Sequence, residues 1–379
     1  MAETTHVDLR RSRTIALAAA LTVCGTMLLV AVPTWLFNGS RIDVFALALE
    51  RPRPVDYLLH LMQFPLPYIA RFSLPRTLWI LLGFAIVGVV LYALLTGSRR
   101  AVPARGAGFA VFLLGWACTA LAVGAAAIVF DVAGGPYWPA VDLSRAAGSL
   151  LNGAEWGLLF GWLGGLAAAL AYSRTASPAS PIAMPGSLPG FPASGMAPPS
   201  PRRASARKAW TVAASAAVSL GLLVLVGGLL ALRDRPAIDI GYQRLLMFPK
   251  PVSGLWYFAG DPPDFTMALD LFTLFLLAVT AVMAMTLLLG SAVRLVRPSK
   301  GAGGVFLLGW GCAILVAGGI GLLRALVFLI AHLATGGRYE VGFSPYEVLA
   351  EGAVYGLLLG WLVGGVAVVA YLRGRAEGR

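Results

Sequence analysis

This sequence predicts an all-α, polytopic integral membrane protein of about eight transmembrane helices. It further predicts a tandem duplication of a four-helix unit with parallel pseudo-two-fold repeats. Three observations carry that expectation. First, of 379 residues, 59% are hydrophobic and only 12% charged, about half the charge of an ordinary soluble domain. Second, several apolar runs are longer than the ~18 residues that suffice to cross a bilayer as helix. They lack period-2 alternation, and helix satisfies every backbone polar group within the run. Third, the chain repeats. Val111-Phe112-Leu113-Leu114-Gly115-Trp116 recurs as Val305-Phe306-Leu307-Leu308-Gly309-Trp310. Gly134-Gly135-Pro136-Tyr137 is echoed by Gly336-Gly337-Arg338-Tyr339, Ile42-Asp43 by Ile238-Asp239, and Arg53-Pro54-Val55 by Lys250-Pro251-Val252. Four helices per unit is an even number, so both halves take the same orientation and the relating axis runs along the membrane normal.

Taken in order, residues 1–13 form a basic N-terminal tail. The first span, 14–36, follows Arg10, Arg11 and Arg13; it is too long for a signal-peptide core and lacks a small-residue cleavage site after it. Leu21-Thr22-Val23-Cys24 falls short of a lipoprotein box, because Val23 stands where a small residue is required. The first repeat occupies 14–172, with further spans at 76–97, 107–130 and 150–172. Residues 173–207 are rich in Pro, Ser, Ala and Gly without hydrophobic periodicity, and read as a disordered cytoplasmic linker. The second repeat occupies 208–372, with spans at 209–232, 267–290, 303–327 and 347–371. Residues 373–379 are the C-terminal tail. Long interfacial segments, 37–75 and 233–266, follow the first helix of each unit. Ser344-Pro345-Tyr346-Glu347 is a capping box with proline in the first helical position, so the eighth helix starts there.

Charge sets the orientation. With the N-terminus inside, the cytoplasmic segments hold 17 of the 29 Lys and Arg residues. The bias recurs at each such segment, which predicts both termini in the cytoplasm. The formal charge of +12 is then a topology signal and a match to anionic lipid, not a nucleic-acid footprint. Arginine greatly outnumbers lysine and Ala and Gly are abundant, a composition associated with GC-rich bacteria; the expected location is a bacterial plasma (inner) membrane. Cys24, Cys118 and Cys312 fall inside spans with no metal or CxxC spacing, so neither disulfide nor metal is expected.

Three constellations stand out. Glycine recurs every fourth residue at Gly153, Gly157, Gly161 and Gly165, and again at Gly352, Gly356, Gly360 and Gly364, positions 199 residues apart. Such a stripe lets helix backbones approach closely. The favoured geometry joins the fourth and eighth helices near the pseudo-axis; packing on the third and seventh helices is the rival. Second, helix rise puts Trp116 ~16 Å and Trp162 ~18 Å from the cytoplasmic edge, with Trp310 and Trp361 following by repeat. Tryptophan near the midplane either fills space beside glycine or lines a site for a lipophilic molecule. Third, the same rise puts Glu155, Glu351, Asp270, Asp131 and Arg324 ~28–39 Å from the cytoplasmic arginines and lysines, at the outer boundary. They snorkel and cap there, or form an outer polar site.

Coupled carriers and proton relays keep ionisable groups within the membrane, and none is expected at the midplane here. Walker, GxSxG and HExxH motifs and clustered carboxylates are lacking. His6, His60 and His332 have no repeat partners in the spans, which argues against bis-histidine haem. The leading expectation is a non-enzymatic, permease-like membrane protein handling an uncharged or lipophilic small molecule, with no cofactor. The alternatives are a non-catalytic scaffold or assembly subunit of a larger complex, and a membrane enzyme acting at the outer face. The expected partners are the lipid bilayer, a lipophilic ligand and another membrane protein, not nucleic acid.

Overall fold

The computed structural model describes residues 12–29, 74–98, 107–134, 143–175, 206–233, 248, 263–295, 301–334 and 345–376. All of these but Ala107, Phe248, Arg294, Leu295 and Gly301 are helical, and none of the described residues is in a strand. Eight helices are long and apolar enough to cross a membrane. They are α1 (Ser12–Leu29), α2 (Leu74–Ser98), α3 (Gly108–Gly134), α4 (Leu143–Thr175), α5 (Ala206–Arg233), α6 (Pro263–Val293), α7 (Ala302–Ala334) and α8 (Pro345–Ala376). Pro263 and Pro345 open their helices, the position where a missing N–H costs no intrahelical bond. Gly134 closes α3. Several helices run past the predicted spans; α4 starts seven residues before residue 150. Most of the linker, nearly all of both interfacial segments and the Gly-Gly-x-Tyr loops lie outside the described residues, as do His6 and His60.

Contacts along the helices define two ends. Ala107 N–H donates to the Tyr172 hydroxyl at 3.2 Å, so α3 starts where α4 finishes. Lys208 Nζ donates to the Gly374 carbonyl at 2.7 Å, bringing the start of α5 to the finish of α8. Arg294 stacks over Trp210, which adds the finish of α6. This is the linker end of the bundle. At the opposite end, Gly153 on α4 abuts Ala127 and Val123 on α3, and Gly228 on α5 abuts Leu274 on α6.

Helices α3 and α7 are the central pair: 78% and 67% of their apolar spans are buried, against 28% for α2 and for α6. Each central helix carries a close-packed partner, α4 on α3 and α8 on α7. The glycine stripes form these contacts. A Cβ at Gly157 would stand 2.6 Å from Ala120 Cα, and one at Gly356 would stand 2.5 Å from Ile314 Cα. At Gly165 and Gly364 the nearest atoms are the carbonyl oxygens of Phe112 and Phe306, 2.5 and 2.6 Å away. The favoured expectation, stripes meeting between α4 and α8, is therefore corrected. The reason is local. Antiparallel neighbours in the chain meet along their whole length, and the facing ridges Phe112, Trp116, Ala120, Ala127 and Phe306, Trp310, Ile314, Ala317 bring backbone, an alanine methyl or an indole against each glycine.

The two hairpins then meet each other through a different set of small residues. A Cβ at Gly311 on α7 would lie 3.1 Å from Ala117 Cα on α3. Leu158 of α4 reaches the face of Gly318 on α7, and Leu357 of α8 reaches Gly124 on α3; a Cβ at those glycines would lie 2.5 and 3.0 Å from the leucine Cδ2 atoms. Around this seam Ala120, Leu121, Ala154, Leu158, Ile314, Ala353, Val354 and Leu357 form one buried cluster. Where lipid removes the hydrophobic drive between helices, such backbone-close contacts hold them through dispersion.

Candidate functional site

Each central helix directs one tryptophan at its glycine-striped partner. The Trp116 indole N–H donates to the Leu158 carbonyl at 3.0 Å, and the Trp310 indole N–H donates to the Leu357 carbonyl at 2.9 Å. Gly161 and Gly360 make the room: a Cβ there would meet the indole Cδ1 at 2.8 and 2.6 Å. Phe112 and Phe306 abut these rings edge-on, both at 5.7 Å between centroids. The donors of both rings are thus committed to main-chain acceptors, and their apolar surface is flanked by phenylalanine and bare backbone. Trp162 and Trp361, one residue beyond the glycines, face the other way and are 42% and 50% exposed. The four tryptophans therefore do not converge; two are packed within the hairpins and two lie on the bundle's exterior.

The opposite end of the bundle holds the charged residues singled out in the sequence, Asp131, Glu155, Asp270, Arg324 and Glu351. Asp270 on α6 and Arg324 on α7 are 3% and 4% exposed. Glu351, on the first turns of α8, is partly buried. Arg324 lies within electrostatic reach of Glu351 and of Asp270, so three helices contribute one mixed charged cluster. Glu155 is buried on α4, at 1% exposure, beside Ala154 and Leu158 of the central seam. Asp131 lies in the last turns of α3; its side chain falls outside the described residues.

Further buried groups escaped the sequence reading. Tyr355 donates its hydroxyl to the Leu223 carbonyl, tying α8 to α5. Phe248, from the second interfacial segment, is fully buried against Tyr355 with centroids 5.3 Å apart. Trp156, 199 residues before Tyr355, is also fully buried and stacks on Phe160 at 5.2 Å. Its indole N–H has no hydrogen-bond partner among the described residues. Gly124, Gly311 and Gly318 were missed because they do not form a stripe along one helix, and the counterpart of Gly311 is Ala117, although Gly124 and Gly318 correspond to each other. The signal available was their shared offset of 194 residues, the same offset that relates Trp116 to Trp310.

Among the described residues no group of three or more His, Cys, Asp or Glu side chains is arranged to hold a metal ion. Cys24, Cys118 and Cys312 are free thiols. No protein-family model matches this chain, and no curated protein or solved structure matches it either.

Proposed function

We propose that the chain is a duplicated, parallel two-by-four-helix integral membrane protein of a bacterial inner membrane. We propose further that it serves as a non-catalytic scaffold or assembly subunit, with both termini and the linker in the cytoplasm. Its exterior supports membrane integration: Leu21, Leu29, Leu81, Val89, Phe272, Met283 and Leu287 are each more than half exposed, an apolar surface that water would not tolerate. The duplication is supported by contacts recurring at repeat offsets, Trp116 to Leu158 with Trp310 to Leu357, and Leu158 to Gly318 with Leu357 to Gly124.

The observation that carries the scaffold reading is the filled central seam. Leu158, Leu357 and the Ala117–Gly311 contact occupy the region between the two repeats, where transporters with internal repeats keep their substrate site. The tryptophans expected to line a lipophilic site are either tied to main-chain carbonyls or turned outward. The permease-like reading keeps the support of the parallel repeats, with a lipophilic molecule entering from the exterior at Trp162 or Trp361. The enzyme reading has only the Asp270, Arg324 and Glu351 cluster.

Native mass spectrometry of the chain extracted from its own membranes separates them. A second membrane protein bound at fixed stoichiometry is the expected result. A chain that flies alone carrying a small lipophilic molecule would overturn the scaffold in favour of the permease.

A further inference from the structure

The linker end of the bundle is cationic. Arg13, Arg174, Arg207, Lys208, Arg294 and Arg373 stand there, while every described acidic residue (Asp131, Glu155, Asp264, Asp270, Glu347 and Glu351) lies towards the opposite end. One pair within it is arranged rather than merely charged. The Arg294 guanidinium lies over the Trp210 ring, 4.5 Å from its centroid. Gly290, one turn before Arg294 on α6, creates the space, because a Cβ there would run into the six-membered ring of Trp210. Arg207 is exposed one turn before Trp210 on α5 and so shares its side of the helix. Lys208, by contrast, is engaged with the Gly374 carbonyl.

Stacking uses the face of a guanidinium and leaves its N–H donors, which lie in the plane, for acceptors. Arg294 Nε is buried, and no hydrogen-bond partner meets it among the described residues. A phosphate at the open edge of the plane offers acceptors to the terminal N–H groups in the fork geometry that arginine favours. Tryptophan beside arginine at the end of an apolar span is also the depth at which phospholipid phosphates lie.

We propose that Arg294, oriented by Trp210 and assisted by Arg207, binds the headgroup phosphate of an anionic phospholipid at the linker end of α5 and α6. The proposal rests on the membrane reading above. It adds a residue-level lipid site, where the +12 charge alone implied only general attraction to an anionic surface.

Delipidated full-length chain in neutral detergent is titrated with phosphatidylglycerol or phosphatidylcholine and read by native mass spectrometry. Phosphatidylglycerol is retained in preference to phosphatidylcholine, and Arg294→Gln weakens its retention about tenfold. Trp210→Leu weakens it about threefold by releasing the stack. Arg174→Gln, the same charge change at the same end but away from this pair, leaves it within about twofold. Equal retention of the two lipids, or an Arg294→Gln effect no larger than that of Arg174→Gln, overturns the site. Displacement of the lipid by low-millimolar inorganic phosphate overturns the lipid assignment. Should Arg294→Gln fail to fold, Arg207→Gln at its exposed position replaces it, with about fivefold weakening expected and no change counting against the site. Release of the chain from membranes by alkaline carbonate would sink the membrane reading itself, whatever the lipid titration reports.

Discussion

Adjacent glycines on α8 provide a sharp test of how the hairpins are held. A Cβ at Gly364 would stand 2.6 Å from the Phe306 carbonyl oxygen, 3.2 Å from Phe306 Cδ2 and 3.3 Å from Trp310 N, whereas a Cβ at Gly365 meets nothing within 4 Å. Comfortable contact needs about 3.5 Å, so Gly364→Ala must push α8 away from α7 by about 1 Å at this turn. A displacement of that size forfeits a quarter to a half of the dispersion energy along the contact, and overpacking typically costs about 1–3 kcal/mol. Both Gly364→Ala and Gly365→Ala gain up to about 1 kcal/mol of helix propensity. That gain cancels when the two variants are compared, so the contact alone makes Gly364→Ala the less stable by about 1–3 kcal/mol. Reversible unfolding of both variants in mixed micelles, titrated with denaturing detergent, measures the difference. Equal stability of the two would refute close backbone contact as what joins α7 to α8.

Four further outcomes follow from the same packing. Gly311→Val drives side-chain atoms at Ala117 across the central seam and should cost about 1–3 kcal/mol; a loss read by unfolding of α3 and α7 together supports one cooperative bundle. Trp310→Phe removes the donor to the Leu357 carbonyl and should cost about 0.6–2 kcal/mol, visible as a lower midpoint in the same titration. Arg324→Met leaves the buried Asp270 carboxylate without its cation and should cost about 3–5 kcal/mol, with Asp270→Asn added to it restoring part of the loss; a double variant no better than the single one would deny the coupling. On the proposed orientation, a cysteine introduced at Ser187 in the linker should react with a membrane-impermeant maleimide only after the membrane is opened. Cys118 and Cys312 are buried and Cys24 is partly buried, so they add little background.

The helices were legible because apolar length is a one-dimensional property that a bilayer reads directly. The partners of the glycine stripes were not. Gly157 announces a close approach but says nothing about whether Ala120 or a residue of α8 is the neighbour, since periodicity specifies a face and leaves the facing helix open. Chain connectivity was the better guide, because a short loop makes α3 and α4 antiparallel neighbours along their full length. The inter-hairpin seam was harder still. It pairs unlike residues, Ala117 with Gly311 and Leu158 with Gly318, and the repeated glycines Gly124 and Gly318 stand alone rather than in a stripe, so no periodicity marks it. The tryptophans illustrate a third limit. Helix rise gives the depth of Trp162 and Trp116 alike, yet one is turned to the exterior and the other donates to a carbonyl, a distinction of azimuth rather than depth.

Where the two halves differ bears on what the chain does. The glycines of the stripes and the tryptophans beside them match across the halves: Gly153 with Gly352, Gly161 with Gly360, Trp116 with Trp310. These positions have no freedom, since any side chain at the glycines would meet backbone or an indole. Divergence appears towards the end away from the linker. Glu155 stands where the other half has Val354 of the central cluster, and Trp156 where the other half has Tyr355, whose hydroxyl reaches α5. Arg324 and Glu351 have Phe130 and Asn152 as their counterparts. A buried carboxylate facing an apolar counterpart is costly unless something specific compensates it, so these substitutions are unlike neutral drift on a lipid-facing surface. The proposed duplication thus supplies a rigid, symmetric centre, and selective recognition by a scaffold of this kind would draw on the asymmetric end. Glu155→Gln tests that inference, because it removes the charge while keeping the shape of the side chain. A partner that depends on the asymmetric end should bind the variant more weakly although the chain still folds, and undiminished binding would confine recognition to the symmetric surfaces.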